Sequence, residues 1–185
     1  MSGAAFTEAL KELGAALNGI DPRQIDHACR LIEEADRIVL YGAGREGLMM
    51  RALCMRLFHM GLKVAMVGDM TTPPVGVGDL FFASSGPGTL GTAGELMRLA
   101  RGAGAEVLLV TAEARAPLAP LAGHLLVIPG QTMASDQTAA ASAVLPMGSV
   151  FEGAMFVLFE VMVARLKEST GITADMMRAN HTNIE

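Results

Sequence analysis

The sequence contains little of what marks nucleic-acid-binding, disulfide-bonded or membrane-spanning proteins. Its 185 residues include no Trp, one Tyr and two Cys, and Lys and Arg never form a run. A formal net charge of −5 without a basic patch counts against nucleic acid as a partner. No stretch of about 18 uninterrupted apolar residues is present, which counts against a membrane span.

The N-terminal segment and the two cysteines favour a cytoplasmic protein. Residues 1–17 include acidic side chains and no long apolar stretch, unlike a signal peptide. Cys29 and Cys54 lie in helical patterns among apolar neighbours, with no metal-binding or redox spacing. We therefore expect two buried, reduced thiols in a protein located in the cytoplasm.

The composition predicts a packed domain of the α/β class. Hydrophobic residues make up 51% of the chain, and 21 residues are Gly. A chain of this length buries a core large enough for one domain, and no linker or internal repeat divides it. We expect residues 1–185 to form a single domain, with N-terminal helices in residues 1–35 and C-terminal helices and a tail in residues 146–185.

Apolar strands alternate with helical patterns, which is typical of a parallel, doubly wound sheet. A helix is predicted to start at Pro22, with Asp21 as its N-cap. Residues 130–145, polar and rich in small side chains, predict a long loop of the kind that is often functional. The predicted strands are residues 37–41, 63–67, 79–83, 106–111 and 124–128. The other predicted helices are residues 6–17, 47–60, 92–101, 117–121, 148–168 and 173–178.

Two of these helices have apolar faces that predict what they bury. In the helix over residues 47–60, the inward residues are expected to be Leu48, Leu53, Leu57 and Met60. In the long helix over residues 148–168, an apolar stripe predicts core or subunit interface rather than a cofactor-binding box. The stripe consists of Phe151, Met155, Leu158, Met162 and Leu166.

Two glycine-rich turns, each between an apolar strand and a helical pattern, are the strongest functional signal. The first comprises residues 41–47 (Tyr-Gly-Ala-Gly-Arg-Glu-Gly) and the second residues 84–89 (Ser-Ser-Gly-Pro-Gly-Thr). A strand, a glycine turn and a helix together present bare N–H groups and a helix N-terminus to an anion. Two such turns in one small domain predict a phosphorylated or otherwise anionic small ligand between them.

The spacing Gly42-x-Gly44-x-x-Gly47 also matches the dinucleotide-binding fingerprint, with Asp69 as the acid that would bind ribose. Three observations count against this alternative. No second domain is present to bring a substrate to a nicotinamide, only one mononucleotide half is well formed, and the second glycine turn is not part of that pattern. A tight turn that serves packing alone is the remaining alternative.

Several motifs, in order along almost the whole chain, resemble the 6-phospho-3-hexuloisomerase family. The glycine turns alone would place the chain only among SIS (sugar isomerase) domains. The motif around Pro146 to Glu152 and the C-terminal motif His181-x-Asn183-x-Glu185 are specific to the family. The motifs that carry the resemblance include Gly42-Ala43-Gly44-Arg45-x-Gly47, Ser85-Gly86-x-Gly88, Leu145-Pro146-Met147-Gly148-Ser149-x-Phe151-Glu152 and His181-x-Asn183-x-Glu185.

The resemblance implies a flavodoxin-like three-layer sandwich with a five-stranded parallel sheet. Members of the family form homo-oligomers, commonly tetramers. They interconvert 3-hexulose 6-phosphate and fructose 6-phosphate without a metal or an organic cofactor, in the ribulose monophosphate pathway. A phosphorylated sugar and further copies of the chain are therefore the expected partners.

The family reaction moves a carbonyl between neighbouring carbons through an enediol, which needs a base, a group for the hydroxyl protons and a phosphate anchor. The resemblance implies Glu152 as the base. It implies His181 as the second catalytic group, on a tail that reaches a neighbouring subunit's site. On the residues alone, Glu152 is also explained as an acid that interacts with the dipole at the N-terminus of its helix, or as a capping-box partner of Ser149. His181 is also explained as an exposed tail residue.

Residues of both turns, with one histidine after the first turn, are implied by the resemblance to bind the substrate and its phosphate. On the residues alone, Arg45 has an ordinary ion pair as its alternative, and His59 a structural role as a partly buried histidine. The implied binding residues are Gly44, Arg45, Ser84, Ser85, Gly86, Gly88, Thr89 and His59.

The chain departs from the family pattern at the two phosphate turns. Glu46 replaces a Ser and adds a negative charge, Pro87 removes a hydroxyl and an N–H donor, and Leu90 removes another hydroxyl. Each lost bond to a charged group is worth about 1.5–3 kcal/mol. Two alternatives to the family reaction therefore stay open: an isomerase with a different substrate, and a non-catalytic module that binds a phosphosugar or a related metabolite.

Overall fold

A five-stranded parallel sheet forms the centre of the molecule, with the strand order β2-β1-β3-β4-β5. The computed structural model describes residues 3–138 and 141–184. The five predicted strands are confirmed, and the order is that of flavodoxin-like sheets. The strands are β1 (Ile38–Tyr41), β2 (Val64–Met66), β3 (Leu80–Ser84), β4 (Glu106–Thr111) and β5 (His124–Val127).

Two predicted helix boundaries are confirmed, whereas the helix predicted over residues 47–60 spans Gly44–His59 and the one predicted over residues 117–121 is a short 3-10 turn. Asp21 accepts a hydrogen bond from the N–H of Arg23 at 2.9 Å, as an N-cap does. Gly171, with a φ of 72°, ends the long helix in the left-handed region. The helices are α1 (Gly3–Asn18), α2 (Pro22–Glu34), α3 (Gly44–His59), α4 (Gly91–Gly102), α5 (Ser149–Thr170) and α6 (Ala174–Ala179), with a 3-10 turn at Ala119–Leu121.

An apolar core lies on each face of the sheet, which gives the predicted three layers. Phe82 and Leu108 point to the face that α1, α2, α3 and α5 cover, and Phe81 and Leu109 point to the face that α4 covers. Neighbouring residues face opposite ways because side chains alternate along a strand. The predicted apolar stripe of α5 is confirmed as core, with Phe151, Met155, Leu158, Met162 and Leu166 all buried.

One inward prediction for α3 is wrong, because Leu48 is 57% exposed. The buried face of the helix runs through Gly47, Met50, Leu53 and Leu57. Leu48 lies about 100° around the helix from Gly47, which removes it from this face. At that level of the helix, the side that faces the sheet is therefore occupied by a glycine.

The prediction of two buried thiols is confirmed for Cys29 and met only in part for Cys54. Cys29 is buried and Cys54 is half-buried, and neither forms a disulfide. Burial raises the pKa of each thiol to about 11, so both are un-ionised near neutral pH.

Among residues 3–138 and 141–184, no helix is long and apolar enough to cross a membrane.

A chain of hydrogen-bonded side chains connects α2 to the edge of the sheet. Nη2 of Arg30 lies 3.3 Å from Nδ1 of His27, and Nε2 of His27 lies 2.7 Å from Nδ1 of His124. Nε2 of His124 lies 2.8 Å from a carboxylate oxygen of Glu106. The distances fit two neutral rings that each donate through Nε2. Burial, His124 and Arg30 lower the pKa of His27.

This network predicts a loss of stability on acidification. An unfolded His27 takes up a proton as the pH falls through about 6.5, whereas the folded state resists it, so folding stability decreases below that pH. We expect His27→Gln, which does not titrate, to lose less stability than the wild-type protein between about pH 7 and about pH 5. Urea unfolding at both pH values measures this difference, and equal losses in the two proteins would contradict it.

Candidate active site

A cavity of about 430 Å³ lies between the turns that follow β1 and β3. In this strand order β2 lies on one side of β1 and β3 lies on the other. The turns after β1 and β3 therefore lead in opposite directions along the edge of the sheet and leave a crevice between them. The structure therefore brings the two glycine turns together, as the sequence predicted. Parts of the loop at Thr132 and the start of α5 complete the cavity.

The first turn depends on glycine for two different reasons. A Cβ on Gly47 would lie 2.5 Å from the carbonyl oxygen of Gly42, so the first turn of α3 and the end of β1 touch through backbone alone. Gly44 has a φ of 55°, a conformation that other residues rarely adopt. Because Ala43, Gly44 and Arg45 line the cavity, the unpaired N–H groups of the α3 N-terminus border it.

The second turn is fixed to the end of β4. The carbonyl of Gly86 accepts from the N–H of Ala112 at 2.9 Å and from the hydroxyl of Thr111 at 3.0 Å. Gly88 has a φ of 63°, and a Cβ there would lie 2.1 Å from Cβ of Ala116. The turn holds Ser85 and Thr89 at the cavity, beside the N-terminus of α4.

Glu152 lies in the first turn of α5 and faces the cavity. Its carboxylate accepts a hydrogen bond from Nε of Arg45 at 2.6 Å, and its side chain is 13% exposed. The capping-box alternative is wrong, because Gly148 is the N-cap and the N–H of Ser149 donates to the carbonyl of Pro146. The ion-pair alternative for Arg45 is confirmed, and its partner is the candidate base itself.

Glu46 has a position that the sequence did not predict. Its carboxylate accepts from the hydroxyl of Ser84 and, at 3.0 Å to each oxygen, from the N–H of Gly86. Burial raises the pKa of Glu46, the bonds from Ser84 and Gly86 oppose that rise, and the nearby charge of Glu152 adds to it. The residue that departs from the family pattern therefore binds the second glycine turn directly.

The structure does not bring His59 and His181 to the cavity of their own chain. Their rings lie 4.9 Å apart at the C-terminal end of α3, where Asn180 donates to the carbonyl of His59 at 2.9 Å. The cavity is at the other end of this helix, about 22 Å away along its axis, since each residue advances the helix by about 1.5 Å. Their functional roles stay predictions, and Glu185 of the terminal motif lies outside the described residues.

Other cavity residues carry weaker sequence signals. Thr132 is buried and Met133 is exposed in the loop that was predicted as functional, and both line the cavity. Residues 139–140 of that loop lie outside the described residues. Phe151 is predicted as core by the sequence, yet its ring edge also borders the cavity beside Gly86. Asp69 instead forms an ion pair with Arg51 at 3.3 Å beside β2 and is not among the described residues that line this cavity.

The charge of the cavity is carried by few side chains. Among the described residues that line it, Arg45 is the only cation, and Glu46 and Glu152 are the only carboxylates. The N-termini of α3, α4 and α5 also border it, each with positive partial charge from its unpaired N–H groups. This arrangement offers a base next to a cation, and helix N-termini that favour a bound anion.

The fold and the paired turns define a flavodoxin-like domain with a crevice at its strand-order switch point, the position at which such folds bind ligands. The chain belongs to the SIS domain family, whose model matches residues 31–156. It is 36% identical to the 3-hexulose-6-phosphate isomerase of Methylomonas aminofaciens over 161 residues, which cover 86% of this chain and 87% of that protein. It is also 36% identical to the enzyme of the same name from Mycobacterium gastri, over 90% of this chain and 82% of that protein.

Solved structures show the same fold. A Methanococcus jannaschii protein, whose structure was taken to imply 3-hexulose-6-phosphate isomerase function, superimposes with a TM-score of 0.83 at 22% identity, covering 95% of this chain and 98% of that one. Vibrio vulnificus NanR, solved in complex with ManNAc-6P, superimposes with a TM-score of 0.74 at 23% identity, covering 95% of this chain and 65% of that one. The predicted family and fold class are thereby confirmed.

Proposed function

We propose that the protein is a sugar-phosphate isomerase that interconverts 3-hexulose 6-phosphate and fructose 6-phosphate through an enediol. The observation that carries this proposal is the carboxylate of Glu152, held by Arg45 in the cavity between the two glycine turns. The two relatives named 3-hexulose-6-phosphate isomerase, similar over most of the chain, supply the identity of the sugar.

The proposed reaction needs Glu152 in its ionised form. The carboxylate takes the proton from the carbon that carries a hydroxyl next to the carbonyl, and the C–H electrons form the enediol double bond while the carbonyl oxygen gains a proton. Loss of the neighbouring hydroxyl proton then makes the new carbonyl, and the former carbonyl carbon receives the proton. The bond from Arg45 fixes the direction of the carboxylate at the cavity, which supports this role.

The remaining site assignments follow from the two turns. Ser85 and Thr89 place hydroxyl groups around the proposed sugar phosphate, and Gly44 places the N-terminus of α3 there. Gly88, with its positive φ, shapes the turn that holds Thr89. Vibrio vulnificus NanR shares this fold and was solved with a sugar phosphate, which supports that ligand class. Because a phosphorylated sugar does not cross a bilayer unaided, the ligand also favours a cytoplasmic location.

We also propose that residues 1–185 act as one domain. The family match ends at residue 156, within α5. The C-terminal half of that helix and the N-terminal helix α1 contribute to the same core as the sheet. The described part of α1 and the C-terminal half of α5, both outside the family match, are therefore packed with the matched part.

Exposed apolar side chains support self-association, with a tetramer as the form that the family resemblance implies. Phe58 on α3 and Phe156 on α5 are 55% and 46% exposed, and other apolar residues of these packed helices are exposed beside them. Association would cover these side chains and allow His181 to reach a partner's cavity.

We expect Phe156→Glu to weaken this association, because a charge would have to be buried against the second copy. Light scattering measures the mass in solution. Met70→Glu, at a loop residue that is 99% exposed, is the matched control and should leave the mass unchanged. A wild-type protein that is monomeric at assay concentrations would contradict the proposal.

Direct assay of fructose 6-phosphate formation from 3-hexulose 6-phosphate tests the proposed reaction. Absence of turnover at about millimolar substrate would contradict it, since KM values fall mostly between about 1 μM and 1 mM. A non-catalytic binding module is the second candidate, favoured by the carboxylate of Glu46 in the second turn. Thermal stabilisation by fructose 6-phosphate without turnover would support that candidate instead.

A further inference from the structure

Glu46 places the protein's own carboxylate in the second glycine turn. The N–H of Gly86 donates to both of its oxygens, and the hydroxyl of Ser84 donates to one of them. The fit is close, because a Cβ on Gly86 would lie 2.9 Å from Oε1 of Glu46 and 3.0 Å from a methyl group of Thr132. Two of the donors that this turn could present to a bound anion, the Ser84 hydroxyl and the Gly86 N–H, are therefore already used within the chain.

The next two backbone positions, Pro87 and Gly88, do not replace these donors. Pro87 has no N–H, and the N–H of Gly88 donates to the carbonyl of Ser85 at 2.9 Å. A phosphoryl dianion only accepts hydrogen bonds and has the same sign of charge as Glu46, so this end of the cavity repels it. A sugar hydroxyl can donate a hydrogen bond, and a carboxylate oxygen that holds an N–H keeps a lone pair for it.

We propose that Glu46 is a specificity-determining residue, which closes the Gly86 end of the cavity to phosphoryl groups and directs the hydroxyl-bearing carbons of the sugar towards it. The inference rests on the proposed function, in which the ligand is a sugar phosphate. The phosphoryl group then binds in a part of the cavity away from Gly86. Glu152 and Arg45, the other charged groups of the cavity, pair with each other on its α5 side.

Calorimetric titration with inorganic phosphate and with fructose 6-phosphate tests the role of Glu46. Glu46→Gln removes the charge and keeps the shape, whereas Glu46→Ala also empties the turn. We expect both variants to bind inorganic phosphate more tightly than the wild-type protein, because the like charge is gone in both. The gain should be about tenfold for Glu46→Ala, in which the Gly86 N–H also becomes available. Glu168→Gln, near the far end of α5, makes the same charge change and should leave phosphate affinity unaltered.

Unchanged or weaker phosphate binding in both folded variants would overturn the proposal, and thermal unfolding shows whether they are folded. If Glu46→Ala does not fold, Glu46→Gln decides alone, because its amide can still accept from Gly86. A wild-type protein without turnover, combined with tighter phosphate binding in the variants, contradicts only the proposed reaction. Turnover in the wild-type protein, with no gain in phosphate affinity in the variants, contradicts only the role of Glu46.

Discussion

Glu152→Gln is expected to lower kcat for the interconversion of 3-hexulose 6-phosphate and fructose 6-phosphate by about 10³-fold, within the range that a positioned general base contributes. The amide has the size of the carboxylate and can still accept a hydrogen bond from Arg45, so the shape of the site is preserved. It cannot take a proton from carbon. The loss should therefore appear in kcat, with KM changed by no more than about threefold.

Deuterium exchange separates the loss of a base from a general disturbance of the site. In D₂O the wild-type enzyme should introduce deuterium at the carbon that receives the returning proton, and Glu152→Gln should lose this exchange in parallel with turnover. Glu168→Gln changes the same charge near the other end of α5 and should retain both activities. Full turnover in Glu152→Gln would show that another group is the base.

The layout of the fold follows from local signals in the sequence. Asp21 and Pro22 start α2 through a cap and a fixed φ, which depend only on neighbouring residues. The strands are apolar runs between glycine turns, so they are visible without knowledge of their partners. The position of the cavity follows in turn, because the crevice of such a sheet lies where the turns after β1 and β3 diverge.

The contacts that give the site its character depend on distant parts of the chain. Glu46 meets Gly86 across 40 residues, and the direction of its side chain depends on how α3 is rotated against the sheet. The sequence showed an added negative charge near a phosphate turn, but not that the charge would occupy the donors of the turn. His27 and His124 likewise meet across 97 residues, with no motif to connect them.

The same rotation of α3 explains why Leu48 is exposed and why Gly47 is needed. Gly47 faces the end of β1, where its Cα hydrogens allow the backbone of Gly42 to approach. A larger residue at this level would push the helix away from the sheet and rotate Arg45 and Glu46 out of the cavity. Together with the other buried residues of α3, this backbone contact sets the rotation of the helix, and with it the position of both charged side chains.

Gly47→Ala is expected to destabilise the protein by about 3 kcal/mol, at the upper end of typical overpacking costs, since the new Cβ would lie 2.5 Å from the carbonyl oxygen of Gly42 and must displace backbone. A displacement of about 1 Å at Arg45 should also lower kcat/KM by about 10²-fold. Urea unfolding and the isomerase assay measure the two effects. Gly14→Ala, within α1 and with no atom within 4 Å of the added Cβ, is the matched control and should stabilise the protein by about 0.5–1 kcal/mol. Wild-type stability in Gly47→Ala would show that the first turn can move without cost, and that the contact between Gly47 and Gly42 does not fix the position of Glu46.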